Sequence, residues 1–158
     1  MSERCHVTFV CSGNICRSPM AQNIFRDAVR DAGLADLVLV DSCGTGAWHV
    51  GEPADDRART ELRRSGHDDE HVAAVIGPEH TSADLLVAMD SGHLRTLTKK
   101  KLADRSRLLR SFDPDAGDDL DVADPYYGGP EDFATVRAQV EAATPGLLAW
   151  VREQLTQR

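Results

Sequence analysis

Four short apolar runs, alternating with stretches of helical spacing, commit this chain to a parallel sheet covered by helices. The runs fall at Val7 to Val10, Leu37 to Val40, Asp84 to Met89, and Arg107 to Leu109 with Phe112. They are valine- and leucine-rich, as strands buried on both faces require. Helices are expected near residues 19 to 32, 55 to 65, 91 to 103 and 130 to 156. The last carries Phe133, Val136, Val140, Leu147, Leu148 and Val151. A kink is expected in it at Pro145-Gly146, where proline removes a helix donor. The alternation implies an α/β fold: a single-domain three-layer sandwich with a four-stranded parallel sheet flanked by helices. At 158 residues the chain is long enough for one substantial core and too short for two ordinary domains, so residues 1–158 are read as one domain.

The first strand runs into the first helix through Cys11-Ser12-Gly13-Asn14-Ile15-Cys16-Arg17-Ser18-Pro19. Open α/β sheets bind ligands where strands end. A thiol attacks only as thiolate, and a cysteine at a helix N-terminus beside an arginine is where that form is favoured. Cys11 is the candidate nucleophile. Arg17 offers a planar fork for two oxygens of a phosphoryl group, and the main-chain N–H groups of Ser12, Gly13, Asn14, Ile15 and Cys16 hold the rest. Ser18 and Pro19 read as N-cap and first helical position. The Ser18 hydroxyl is also placed to donate to the sulfur. Gly13 permits tight curvature, and Asn14 tolerates the left-handed conformation. Two readings stand for Cys16: a side chain packed under the loop, or a reversible disulfide partner for Cys11.

Tyr126 and Tyr127, the only tyrosines, stand together in a Pro/Gly-rich stretch without strand or helix spacing. They read as exposed walls of a pocket, or as aromatics pinning a long loop. Six aspartates crowd Asp113 to Asp124, and if that tract borders the cleft it should repel acidic peptides. The net charge of −8 confines any attraction for phosphate to the loop and argues against nucleic acid; Lys99-Lys100-Lys101 reads as a solvated helix end. No apolar stretch approaches a membrane span, and the N-terminus, Met1 to His6, carries no signal-sequence pattern, so a cytoplasmic location and no membrane partner are expected. Four cysteines without paired zinc spacing fit a reducing compartment. His67-Asp68-Asp69-Glu70-His71 spells H-x-x-E-H, but its zinc reading needs a helix that Gly66 and the paired aspartates disfavour. No calcium loop and no nucleotide-binding P-loop is spelled.

The run from Cys11 to Pro19 resembles the signature of the low-molecular-weight protein tyrosine phosphatases: a cysteine, five residues, then Arg-Ser, near the N-terminus. The resemblance continues through Asp41-Ser42-Cys43-Gly44-Thr45-Gly46-Ala47-Trp48-His49-Val50-Gly51-Glu52-Pro53-Ala54-Asp55, Val87-Ala88-Met89-Asp90 and Asp124-Pro125-Tyr126-Tyr127-Gly128. It covers nearly the whole chain and is nearest to actinobacterial members. It implies a metal- and cofactor-independent phosphatase acting on phosphotyrosine-containing proteins through a cysteinyl-phosphate intermediate, with inorganic phosphate as product and inhibitor. It implies Asp124 as general acid, then base, over the pocket, with Pro125 stiffening its main chain. Trp48 is implied on the side opposite the tyrosines, where the three would sandwich a phenyl ring. Asn14, Ser18, Ser42 and His71 match the polar network that shapes the family's phosphate loop, although His71 alone would read as a core histidine. Cys43 departs from the alanine of many bacterial members and reads as a small buried side chain or a second oxidisable thiol. Arsenate reductase chemistry would need cysteines after Cys43, and there are none. Phosphoarginine phosphatases tend to carry threonine where this chain has Ile15.

Overall fold

The computed structural model describes residues 4–158. Of the N-terminal segment read above, Met1, Ser2 and Glu3 lie outside the described residues. Strands β1 (Cys5–Cys11), β2 (Val38–Gly44), β3 (Leu85–Ala88) and β4 (Ser106–Leu108) form one parallel sheet in the order β2-β1-β3-β4. β1 is therefore interior, with neighbours reached by crossovers in opposite directions. A crevice opens beyond the end of such a strand.

Side-chain alternation along β1 builds two cores. Val7, Phe9 and Cys11 face one side, against α1 (Arg17–Asp31), α2 (Asp56–Arg64) and α5 (Pro130–Thr156). Phe9 meets Phe25 of α1 edge to face, ring centroids 5.9 Å apart, a favoured aromatic geometry. Val10 faces the other side, packing with Leu86, Ala88 and Leu97, the last from α4 (Ser91–Lys99). Period-two alternation in one buried strand thus gives the helix, sheet, helix layering expected from sequence.

Several boundaries moved. β2 is extended by Asp41, Ser42, Cys43 and Gly44, because parallel pairing to β1 continues to Cys11 opposite Gly44. The added residues are polar or small, with Cys43 in the second core and Ser42 buried beside the site. α1 starts at Arg17, not near residue 19, with Cys16 as N-cap. The expectation that Ser18 caps it is corrected: its hydroxyl is engaged by Cys11 and Asn14. Pro19 still lies in the first turn, where no N–H partner is needed. α4 ends at Lys99 with left-handed Lys101 behind it (φ 65°), and Lys99, Lys100 and Lys101 are exposed there. β4 stops at Leu108, and Leu109–Phe112 turns as a 3₁₀ helix. A short helix, α3 (Pro78–Thr81), was not expected.

α5 runs as one helix through Pro145-Gly146, as the expected span near 130 to 156 requires. Gly146 takes the close approach of the Phe112 turn: a Cβ at this position would lie 2.1 Å from the Phe112 carbonyl oxygen. Alanine normally improves a helix by about 1 kcal/mol over glycine. Here Gly146→Ala should instead destabilise by roughly 1–3 kcal/mol, the usual scale of overpacking, measured by urea unfolding at neutral pH.

Candidate active site

The crevice beyond β1 holds the turn from Cys11 to Arg17. Its carbonyls are engaged from outside: Cys11 O accepts from Thr45 N (2.9 Å), Ser12 O from Gly46 N (3.0 Å), Ile15 O from Asp55 N (2.8 Å) and Cys16 O from Met20 N (3.2 Å). Asn14 O accepts from His71 Nε2 at 2.7 Å. Among the described residues, the main-chain N–H groups of Ser12, Gly13, Asn14, Ile15 and Cys16 donate to no carbonyl or side chain. A turn with most of its acceptors used and its donors free, followed by a helix N-terminus, suits an anion. Gly44 permits it, since a Cβ there would stand 2.7 Å from Ser12 O.

Asn14 pins the turn. It is fully buried with φ 59°, the left-handed conformation that asparagine tolerates. Its Nδ2 donates to Ser18 Oγ (2.7 Å) and Ser42 Oγ (2.9 Å), while its Oδ1 accepts from Ala74 N (2.9 Å). Ser18 Oγ lies 2.8 Å from Cys11 Sγ; because Asn14 donates to that hydroxyl, its proton is available to the sulfur. Ser42 donates to Gln22 Oε1 (2.6 Å), Gln22 to Asn23 Oδ1 (2.9 Å), and Asn23 to the carbonyls of Asp68 and Glu70. The four residues matched to the polar network by resemblance, Asn14, Ser18, Ser42 and His71, therefore do meet. Gln22 and Asn23 extend the chain and were missed. Gln22 sits four residues past Ser18 on α1, one helical turn away, which was a legible signal.

Arg17 is buried. Its Nη1 donates to Asp90 Oδ2 (2.8 Å) and Val122 O (2.8 Å), and its Nη2 lies 3.9 Å from Asp124 Oδ2. Burial pushes the Asp90 carboxyl up, but hydrogen bonds from Arg17 and the His93 N–H outweigh it and hold it below the ordinary value. Asp124 is half-exposed, and its Oδ1 accepts from Tyr126 N at 3.1 Å. One oxygen is thus fixed by its own turn while the other faces Arg17. Of the aspartate tract, Asp124 alone lines the cavity. Asp121 is committed to Ser91, and Arg110 holds the carbonyls of Asp119 and Asp121. The condition that the tract borders the cleft is therefore met by Asp124 alone.

The cavity, about 340 Å³, is lined by Cys11, Ser12, Gly13, Ile15, Cys16, Arg17 and Asp124, with Trp48, His49, Tyr126 and Tyr127. Trp48 is 73 % and Tyr127 92 % exposed, and Tyr126 meets Tyr127 edge to face with centroids 5.0 Å apart. Gly46 lets the indole of Trp48 lie against the main chain, since a Cβ there would be 2.0 Å from Trp48 Cζ3. His49 was missed; its ring abuts Gly13 and accompanies Glu52 at 2.8 Å. Cys16 and Cys43 are buried free thiols, and burial pushes both up, Cys43 to about 12. His67 and His71 sit on non-helical chain and diverge. His67 pairs with Asp27 (2.6 Å) and Glu141 (3.3 Å), while His71 serves Asn14. The H-x-x-E-H spelling therefore has no zinc geometry.

His93 was also missed, although it stands three residues after Asp90 in a capping box. Its Nδ1 accepts from Asp90 N (3.2 Å), so the neutral ring carries its proton on Nε2 and donates to Ser12 Oγ (2.9 Å). Burial lowers its pKa to about 4, against the upward pull of the Asp90 carboxylate. A histidine held neutral in the fold takes up a proton in the unfolded chain first. The penalty is absent well above pH 6.5 and grows as pH falls toward 4. Between pH 7 and pH 4.5 the wild type should lose roughly 2–3 kcal/mol of unfolding free energy through this ring. His93→Asn should lose correspondingly less in urea titrations at the two pH values; equal losses would refute the assignment.

Residues 6–157 match the family described as low molecular weight phosphotyrosine protein phosphatase. The low molecular weight protein-tyrosine phosphatase A of Mycobacterium tuberculosis is 55 % identical over 157 residues, covering 98 % of this chain and 96 % of that protein. The low molecular weight protein-tyrosine-phosphatase of Streptomyces coelicolor is 52 % identical, covering 96 % of each. A crystal structure of a protein tyrosine phosphatase from Entamoeba histolytica superposes with a TM-score of 0.89 at 27 % identity, covering 97 % of this chain and 99 % of that one. With family match, relatives and fold in agreement, this chain belongs to the low-molecular-weight protein tyrosine phosphatases.

Proposed function

We propose that this chain hydrolyses phosphotyrosine in proteins through a cysteinyl-phosphate intermediate. Cys11 is the nucleophile, Arg17 the phosphate-binding cation, and Asp124 the general acid and then base. The observation that carries this reading is a sulfur 2.8 Å from a hydroxyl at the head of a turn whose N–H groups are all free. In the first step Cys11 Sγ forms a bond to phosphorus as the bond to the tyrosyl oxygen breaks, and Asp124 gives its proton to that oxygen. In the second, Asp124 takes a proton from water, the water oxygen bonds to phosphorus, and the thiolate leaves under the Ser18 hydroxyl. The free amides of Ser12, Gly13, Asn14, Ile15 and Cys16, with the Arg17 fork, receive the charge spread over the equatorial oxygens.

Trp48, Tyr126 and Tyr127 suit the walls of a phenyl slot, one that phosphoserine is too short to span. Isoleucine at position 15 brings bulk and no hydroxyl, which favours an aryl ester over a phosphoarginine N–P bond. Every step uses protein groups and water, so no cofactor is invoked. Inorganic phosphate is the product and, by occupying the same donors, an inhibitor. We further infer one catalytic domain over residues 1–158 and a cytoplasmic setting, without nucleic acid or membrane partners. Among the described residues no helix is long and apolar enough to cross a membrane.

Cys11→Ser should abolish turnover. Asp124→Ala should lower kcat/KM for a phosphotyrosyl peptide on the order of 100-fold, and far less for dinitrophenyl phosphate, whose leaving group needs little protonation. Equal slowing would remove Asp124 from the acid role. Phosphotyrosyl, phosphoseryl and phosphoarginyl peptides, assayed with and without a chelator, test substrate class; faster phosphoarginine turnover or chelator sensitivity would overturn the reading.

A further inference from the structure

Arg57, at the start of α2, has no part in the steps above, yet it joins the two halves of the site. Its Nε and Nη2 each lie 3.1 Å from a different oxygen of Asp55, a fork-on-fork pair. Asp55 in turn caps α2 through the Arg57 N–H (2.8 Å), and its own N–H donates to Ile15 O in the phosphate-binding turn. The outer edge of the same guanidinium donates to Gly128 O (3.0 Å) and Tyr126 O (2.9 Å). Its face lies 4.7 Å from the ring centroid of buried Phe133 and 5.6 Å from that of Tyr126.

Among the described residues, no other hydrogen bond ties residues 123 to 128 to the rest of the chain. Val122 N is anchored to Met89 O before that segment, and Gly129 N to Asp132 after it. Within it Tyr126 N holds Asp124 and Gly128 N holds Pro125 O. We propose that Arg57 is a positioning residue: set by Asp55, it holds the Tyr126 and Gly128 carbonyls, and so fixes the height of Asp124 and the tyrosine wall above Cys11. The linkage is continuous from Ile15 through Asp55, Arg57 and Tyr126 to Asp124. Lysine does not replace it, because an ammonium has three donors and no planar fork, against the four hydrogen bonds the guanidinium makes here.

The inference rests on Asp124 acting as the acid, and the kinetics separate the two ideas. Arg57→Lys and Arg57→Ala should each lower kcat/KM for a phosphotyrosyl peptide about tenfold, while kcat/KM for dinitrophenyl phosphate stays within about twofold. Guanidinium ion should restore part of the loss in Arg57→Ala. Should Arg57→Ala fail to fold, Arg57→Lys carries the test, its thermal midpoint recorded alongside. Wild-type constants in Arg57→Lys, or equal slowing on both substrates, would overturn the positioning role. If Asp124→Ala shows the substrate split and Arg57→Lys does not, the positioning role alone fails; if neither shows it, the acid assignment fails.

Discussion

The site depends on a division of labour within one peptide turn: its acceptors are occupied from behind and its donors are left over. The carbonyls of Cys11, Ser12, Asn14, Ile15 and Cys16 are taken by Thr45, Gly46, His71, Asp55 and Met20, which come from four separate parts of the chain. Each is an ordinary hydrogen bond, with a modest net contribution to folding. Together they fix a conformation that the turn would not hold alone, because a left-handed Asn14 and five unpaired amides are unfavourable without compensation. The fold meets that cost by interior placement of β1. The turn is extended by β2 on one side and flanked by β3 on the other, so its supports arrive on rigid strands and helix ends rather than on free loops.

Much of this was legible beforehand. Apolar runs gave the four strands, their alternation with helices gave the layering, and a cysteine and an arginine with five residues between them located the turn. What stayed hidden was polar. Gln22 and Asn23 lie on a helix whose sequence reads as amphipathic surface, and their roles emerge only when Ser42 arrives from β2. His93 serves as half of a capping box and as a donor to Ser12, two local functions that need tertiary neighbours to be seen. Ser18 looked like an N-cap because serine before proline usually is one; a competing pair of partners, Cys11 and Asn14, claimed its hydroxyl. Pro145 was legible as a helix position lacking a donor, but the Phe112 turn packed against Gly146 beside it was not, because that contact needs tertiary neighbours.

The lower site contrasts with the upper. Cys11, Asn14 and Arg17 are buried and interlocked, whereas Trp48 and Tyr127 stand almost fully in water. Rigid chemistry sits beneath an open mouth. Aromatic surface left wet in the free protein gains from being covered, at about 25 cal/mol per Å²; in the proposed reading a phenyl ring entering the slot is drawn by the rim while its phosphate is received by the floor.

A protein carrying eight excess negative charges offers an approaching dianion no long-range attraction. Arg17, already matched by Asp90, adds little field beyond its own reach. In the proposed reading the grip on the anion therefore comes from the dipoles of the turn and the Arg17 fork, which act only at contact. Such forces are nearly blind to dissolved salt, while the repulsion that slows arrival is screened by it. Ionic strength accordingly governs how often a phosphate enters this cup, and barely touches how firmly the cup closes around it.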